Sequence, residues 1–504
     1  MTADTARDAI RDRASEKTAM GAVWLVGGRL LSRSLDLISL LILARLLGPA
    51  EFGTIAIAMV LVYIVEALLE MPVAVALIRL PVVTKPLVDT AFTISLMRGI
   101  AVASVLMALA YPYAAFNNDP HLVNLICALS IAPTIRSLMS PMMVHYARAI
   151  DFRPDFLLDV LGKLATLIAS VTVGYLTRNY WAIAAGTIAS PVVVAIATYV
   201  IAPYRPHLTL REWHAFASLI RWNFFGQLLT AVNWQIDRFL LARFVPRDVL
   251  GRFSVSNDLS SIPFQALIVP ILRPLLGGLS ALPEERVGRA YNKATAAVIL
   301  VGAPALVGMA ALSEPIVQLA LGPKWTEAGP ILAMLALSAV PQLMTASFAA
   351  VALRLGKFHI NTLQIFLEFI VRTPVMIFAA YFYGVSGVLA ARFICGFYAV
   401  GIVVVLVRRL VHLSVVEQLL APWRPLVASA VMGIAVMQAV PFLSAQPSQI
   451  ALALGTAATV ATGGLIYGLM VLLLWVLSGR PDGAEKIIAD KVVSGLALVR
   501  RRFA

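Results

Sequence analysis

Apolar runs of about twenty residues, separated by short polar connections, recur from residue 20 to residue 477. A hydrocarbon core of ~30 Å takes about 20 residues of helix to cross, so the pattern predicts an all-α polytopic membrane protein. Fourteen spans are expected, near 20–47, 53–79, 86–111, 122–146, 156–177, 181–202, 216–244, 250–272, 294–320, 328–353, 361–383, 385–407, 425–442 and 449–477. The last two are the cleanest. The first run is too long and too rich in arginine for a cleavable signal peptide, and no small-residue cleavage site follows it, so it is expected to stay as the first helix.

Composition sharpens this. The chain has 504 residues, 60% hydrophobic and 13% charged, against about 25% charged in soluble domains, which excludes an ordinary soluble enzyme. The net charge is nevertheless +14. Of the 40 Lys and Arg, 25 fall in the tail 1–19, in every second connection and in 478–504, while the opposite set holds only Arg178, Arg243, Arg247 and Lys324. Positive residues stay on the cytoplasmic side, so both termini are expected there, with an even number of spans.

Both tails read as surface helices. Asp4, Asp8, Asp12 and Glu16 alternate with Arg7, Arg11 and Lys17, as in a solvated helix laced with ion pairs. The segment after Pro481, ending in Arg500, Arg501 and Arg502, suggests an amphipathic helix on the anionic inner leaflet. Cys127 and Cys395 lie in apolar runs and read as small core residues, with no metal site. No GxxxxGK[ST], HExxH or GxSxG sequence occurs, and no cofactor or nucleic-acid partner is expected. External connections of about 4 to 10 residues disfavour a membrane glycosyltransferase, which holds its donor and acceptor outside the bilayer, and leave transport as the leading class.

The stretch Ala44 to Gly53 reappears as Ala242 to Gly251, at a constant offset of 198, with Ala, Arg and the final Gly identical. Each copy ends a long polar-marked helix and opens the next through a short external turn. The repeat unit therefore holds six helices, as in the parallel repeats of some transporters. The expected organisation is a tail 1–19, an N-lobe 20–211, a C-lobe 212–415, an extra helix pair 416–478 and a basic tail 479–504. The two lobes are expected to be pseudo-symmetric.

Charges at mid-membrane cost about 2.5–3.5 kcal/mol each on insertion scales, so they mark partners or cavities. Arg29, Arg33 and Asp36 share one face of span one, with Ser32 nearby. Asn223, Gln227, Thr230, Asn233 and Asp237 form a stripe along span seven, followed by Arg238. Arg98 and Arg136 stand on spans three and four. Asp159 with Lys163, and Glu368 with Arg372, sit one turn apart and read as self-neutralised pairs. Glu66 and Glu70 share a face of span two beside a kink expected at Pro72, with no basic neighbour in that helix, which suits proton or sodium coupling or a salt bridge to Arg29 or Arg98. Pro263, Pro270 and Pro274 are expected to bend span eight and Pro374 to interrupt span eleven.

Three blocks carry a resemblance: Ala44-Arg45-Leu46-Leu47-Gly48-Pro49 with Glu51-Phe52-Gly53, the stripe Asn223 to Asp237 leading into Gly251, and Leu321-Gly322-Pro323-Lys324-Trp325-Thr326-Glu327-Ala328-Gly329-Pro330. The chain resembles the polysaccharide transporter (Wzx-type oligosaccharide flippase) branch of the multidrug/oligosaccharidyl-lipid/polysaccharide exporter superfamily, from about residue 20 to 478. That resemblance implies alternating access in a bacterial inner membrane, and as cargo an undecaprenyl-pyrophosphate-linked oligosaccharide for capsule, exopolysaccharide or O-antigen assembly. A polymerase and a chain-length regulator are its implied partners. Arg29, Arg33, Arg98 and Arg238 would then form a cationic substrate cavity, since guanidinium forks suit phosphate. Asn223, Gln227, Thr230 and Asn233 would contact sugar, and Asp36, Glu66, Glu70 or Asp237 would couple to an ion. The rivals are a lipid II flippase or an ion-coupled multidrug antiporter of the same superfamily.

Overall fold

A computed structural model describes residues 31–149, 151–272, 282–444, 446 and 448–480, with the backbone alone described at 218–227 and 358. Both terminal tails, Arg29 and Pro274 lie outside the described residues. Among the described residues every regular element is a helix, and the chain divides into two compact units, Met1–Gly251 and Arg252–Ala504.

The first unit contains α1 (31–46), α2 (Pro49–Leu68), α3 (Val73–Arg79), α4 (Lys85–Phe116), α5 (His121–Leu129), α6 (Ile131–Arg136), α7 (Val144–Arg148), α8 (Arg153–Thr177), α9 (Trp181–Ile201) and α10 (His214–Phe244). The helix α11 (Arg247–Pro263) begins in it. Helix α2 opens with Pro49 in its first turn, where the missing N–H would have had no intrahelical partner. It stops at Leu68, and α3 starts only after Pro72. The expected kink is therefore an interruption at 69–72 within one span, Pro49–Arg79.

Span four, read as one straight helix, is broken too. Its two halves, His121–Arg136 and Pro141–Arg148, meet at 52°. Pro141 forces Ser140 into an extended conformation (φ −63°, ψ 118°). Ser140 N–H donates to the Thr198 hydroxyl at 3.1 Å, and its own hydroxyl donates to the Ala202 carbonyl at 2.7 Å. Helix α9 thus supplies the partners that a break inside a membrane requires.

The repeated glycines explain themselves at the start of α2 and α11. A Cβ on Gly53 would lie 1.8 Å from the Arg247 carbonyl oxygen, and one on Gly251 would lie 1.8 Å from the Pro49 carbonyl oxygen. At the offset of 198, Pro49 corresponds to Arg247 and Gly53 to Gly251. Each first turn therefore presses its glycine onto the backbone of the other, a reciprocal contact of the kind a two-fold axis produces. Around this crossing, Arg247 pairs with the buried Asp119 at 2.9 Å, Glu51 accepts the Tyr180 N–H at 2.7 Å, and α10 packs along α2.

In the second unit, Glu284–Ala311 packs against Ala328–Thr345 and Trp423–Ser444, and the latter against Gln449–Leu477. Trp325 of the third motif block is fully buried, and Gly322 before it takes φ +90°. Arg252 pairs with Glu327 of the same block at 2.9 Å. The segment Phe358–Val411 covers expected spans eleven and twelve and runs through Pro374; the residue that breaks it is Gly384, at φ 56° and ψ −133°, a backbone state open to glycine. The interruption expected at Pro374 is absent, and the break at Gly384 falls in the gap expected between spans eleven and twelve. In span eight, Pro263 is followed by a single π-type turn, Phe264–Ile268. Cys395 is buried and Cys127 half-buried, and neither forms a disulfide.

Ten helices among the described residues are long and apolar enough to cross a membrane, or eleven with the bent pair of span four. The first compact unit ends at Gly251 and includes α10.

Replacing Gly53 or Gly251 by Ala puts a methyl group onto a backbone oxygen, and overpacking of this kind costs roughly 1–3 kcal/mol. Thermal melting of the detergent-purified protein should show a lowered midpoint for Gly53→Ala and Gly251→Ala. It should be unchanged for Gly48→Ala, whose added Cβ meets nothing within 4 Å.

Candidate functional site

The described charges of the first unit sit mainly in two clusters, each tying helices together. In the first, α1 faces α8. The Asp36 carboxylate meets Lys163 Nζ at 2.8 Å and Arg33 at 3.5 Å, while the Ser32 hydroxyl donates to Asp159. Asp159 and Lys163 are therefore not simply a self-neutralised pair on one helix, as their one-turn spacing suggested. Each reaches across to α1. Lys163 holds Asp36 more closely than Arg33 does, and the Arg33 side chain remains 54% exposed.

The second cluster surrounds the break in α2. A helix that stops leaves its last carbonyls without partners. Arg98 of α4 supplies them, donating to the Leu69 carbonyl at 2.9 Å and the Glu66 carbonyl at 3.3 Å. Its other contact is the Glu70 carboxylate, at 2.7 Å. Glu66 in turn pairs with Arg136 at the end of α6, at 2.8 Å. Both glutamates thus find arginines on other helices, and the lack of a basic neighbour on their own helix, which suggested ion coupling, is met by α4 and α6. Arg98 serves the break and Glu70 together, a structural task that the cavity reading did not include.

On α10, Asn233 and Asp237 are buried, at 6% and 3% exposure. The Asn233 side-chain oxygen is buried with no hydrogen-bond partner. Thr230 and Arg238 are half-buried. The side chains of Asn223 and Gln227, like Arg29, lie outside the described residues. In the second unit, Glu368 accepts from Gln364 at 2.6 Å, and Arg392 donates to Asn257 at 2.6 Å. Among the described residues no group of three or more His, Cys, Asp or Glu could hold a metal ion.

Helix-face reasoning names Arg33, Asp36, Arg98, Glu66 and Glu70, with Arg98 as a partner for the glutamates, but it does not pair Asp36 with Lys163 or Glu66 with Arg136. The i, i+4 spacing fixes which residues share a face; it says nothing about which helix faces them. Lys163 and Arg136 were visible as intramembrane charges, yet only the packing shows that they neutralise Asp36 and Glu66.

The fold and these clusters now have relatives. A family profile described as polysaccharide biosynthesis protein matches residues 42–330, more than half of the chain. The chain belongs to this family. It is 24% identical over 323 residues to the succinoglycan biosynthesis transport protein ExoT of Rhizobium meliloti (strain 1021), covering 62% of this chain and 65% of the relative. It is 22% identical over 330 residues to the lipopolysaccharide biosynthesis protein WzxC of Escherichia coli (strain K12), covering 64% and 66%. The matched parts thus span just under two thirds of either relative's length. Among solved structures, the lipid II flippase MurJ in an inward closed conformation aligns with a TM-score of 0.73 at 12% identity, over 92% of this chain and all of that one. An inward-facing multidrug resistance transporter of the MATE family, MOP superfamily, aligns at 0.61 and 14% identity, over 78% and 98%. The fold is that of the MOP superfamily.

Losing Arg98 strands two carbonyls as well as Glu70, and unsatisfied buried polar groups cost about 1–3 kcal/mol each. Arg98→Ala is expected to lower the thermal midpoint of the purified protein more than Glu70→Gln, with Arg98→Lys between them. Equal losses for Arg98→Ala and Glu70→Gln would mean that the carbonyl contacts contribute nothing.

Proposed function

We propose that this protein is a flippase that moves an oligosaccharide carried on undecaprenyl pyrophosphate across a bacterial inner membrane by alternating access, for surface-polysaccharide assembly. Relatives named for succinoglycan transport and lipopolysaccharide biosynthesis support that cargo over lipid II. The observation that carries the reading is the placement of Arg33. A guanidinium within the first span stays largely exposed because its acidic neighbour Asp36 is held by Lys163. Such a fork is suited to a diphosphate passing through a low-dielectric space.

The rest of the proposal follows from that anchor. Arg29, four residues before Arg33 in the sequence, would extend the cationic face, with Arg98 and Arg238 as further candidates. Asn223, Gln227, Thr230 and Asn233 would meet sugar hydroxyls. Asp36 and Asp237 are the carboxylates proposed for ion coupling; Glu66 and Glu70 are weaker candidates now that Arg136 and Arg98 pair with them. Fourteen crossings, with both termini cytoplasmic, complete the arrangement. A polymerase and a chain-length regulator of the same pathway are its expected partners.

Disrupting the gene should abolish the surface polysaccharide and leave lipid-linked repeat units inside the cell. Normal polysaccharide without that accumulation would defeat the reading. In complemented cells matched for membrane abundance, Arg33→Ala and Arg33→Lys should both reduce export several-fold, because an ammonium lacks the planar fork. Arg178→Ala, in a turn at the far end of α8, should not.

A further inference from the structure

The basic residues that mark the cytoplasmic side are usually read as topology alone. Three of the first unit's exposed basic residues nevertheless converge on one cleft. Lys85 opens α4, His145 belongs to α7, and Arg205 lies on the loop after α9. They line a space of about 430 Å³ together with Thr84, Tyr204 and a floor that includes Val88 and Met142. That volume falls within the roughly 300–1,000 Å³ of small-molecule sites. No carboxylate is among the lining residues. The first turn of the 32-residue α4 carries no side-chain cap, so its positive dipole end adds to the charges of Lys85 and Arg205.

The walls are fixed in place. Tyr204 donates to the buried Asp89 at 2.6 Å, Thr209 N–H to the Thr93 hydroxyl at 3.0 Å, and Glu212 N–H to the Thr90 hydroxyl at 3.3 Å. The loop bearing Arg205 is thereby stitched along α4. Burial, and then the bond to Asp89, push the Tyr204 phenol pKa up, so the ring stays neutral. On the opposite wall, Tyr146 donates to the Ile201 carbonyl at 3.1 Å. Arg148 donates to the carbonyls of Leu77, Leu80 and Pro81 and so holds the turn before Val83. A rigid cleft with two cations, a histidine and no lining acid loses little freedom when an anion enters.

We propose that the cleft formed by Lys85, His145 and Arg205 binds the phosphate group of a lipid at the cytoplasmic leaflet, as a site separate from the Arg33 region. Basic pockets between helices on this side are suited to anionic headgroups. The leaflet rests on the orientation proposed above; the phosphate chemistry does not. Two sources share that chemistry: an anionic phospholipid held permanently, or the diphosphate end of a lipid-linked cargo before transport.

The test uses purified full-length protein and native mass spectrometry, titrating phosphatidylglycerol, phosphatidylcholine and a polyprenyl diphosphate separately. The Lys85→Gln/Arg205→Gln double variant should bind phosphatidylglycerol, the polyprenyl diphosphate or both about tenfold more weakly than the parent. Phosphatidylcholine should bind weakly to both proteins. A loss confined to phosphatidylglycerol assigns the cleft to a resident lipid, and a loss confined to the diphosphate assigns it to cargo. The charge-preserving Lys85→Arg/Arg205→Lys variant should retain binding, which separates loss of charge from loss of fold. Unchanged binding of both anionic lipids in the double Gln variant, or phosphatidylcholine binding weakened as much as theirs, overturns the proposal. Because binding is measured on isolated protein, that result is independent of whether oligosaccharide export proves correct.

Discussion

The close approach of Gly53 and Gly251 governs how the first unit is built. Two helices can place backbone against backbone only where both lack a Cβ, and here each glycine meets the carbonyl of the residue four positions before the other. The conserved offset of 198 is thus a contact as well as a repeat. It fixes the starts of α2 and α11, and the ion pair of Arg247 with Asp119 and the bond from Tyr180 to Glu51 close around it. The motif Gly48-Pro49-Ala50-Glu51-Phe52-Gly53 accordingly has a structural logic: Pro49 starts the helix, Glu51 ties it to α9, Phe52 is buried, and Gly53 lets the second copy in.

Away from that crossing, the cost of charge in a low-dielectric interior shapes the unit. The described intramembrane ions meet partners across helices: Asp36 with Lys163, Glu70 with Arg98, Glu66 with Arg136. Two broken spans are handled in the same way, by polar groups on a neighbouring helix. Arg98 satisfies carbonyls left by the break before Pro72, and Thr198 with Ala202 satisfies the one before Pro141. Broken helices within a membrane are tolerated when such partners exist, and breaks of this kind give a transporter places at which helices can bend.

Charge compensation also narrows the functional question. A net charge of +14 in so apolar a chain first suggests an anionic cargo, yet most of the cations mark topology and most described intramembrane ones are paired. Arg33 keeps its significance because its carboxylate neighbour is shared. Lys85, His145 and Arg205 gain theirs because three separate stretches of sequence deliver them to one cleft.

Hydropathy alone determined the helical class, the positions of the apolar segments and the expected orientation, because the bilayer imposes a length and a charge asymmetry that act on each segment separately. It also exposed the repeat and the charged faces, since 3.6-residue periodicity is local. Ion-pair partners were legible only in part: Arg98 was foreseeable for the glutamates of span two, but Glu66 and Arg136 are 70 residues apart, and no local rule connects them. The break at Gly384 was legible as the gap between two apolar runs, whereas the effect of Pro374 was not, because a proline inside a helix can be absorbed by its surroundings. Which residues share a helix face is a property of the chain; which face meets which is decided only when the helices pack, where a few ångströms determine whether a charge is paired, buried or left to meet a ligand.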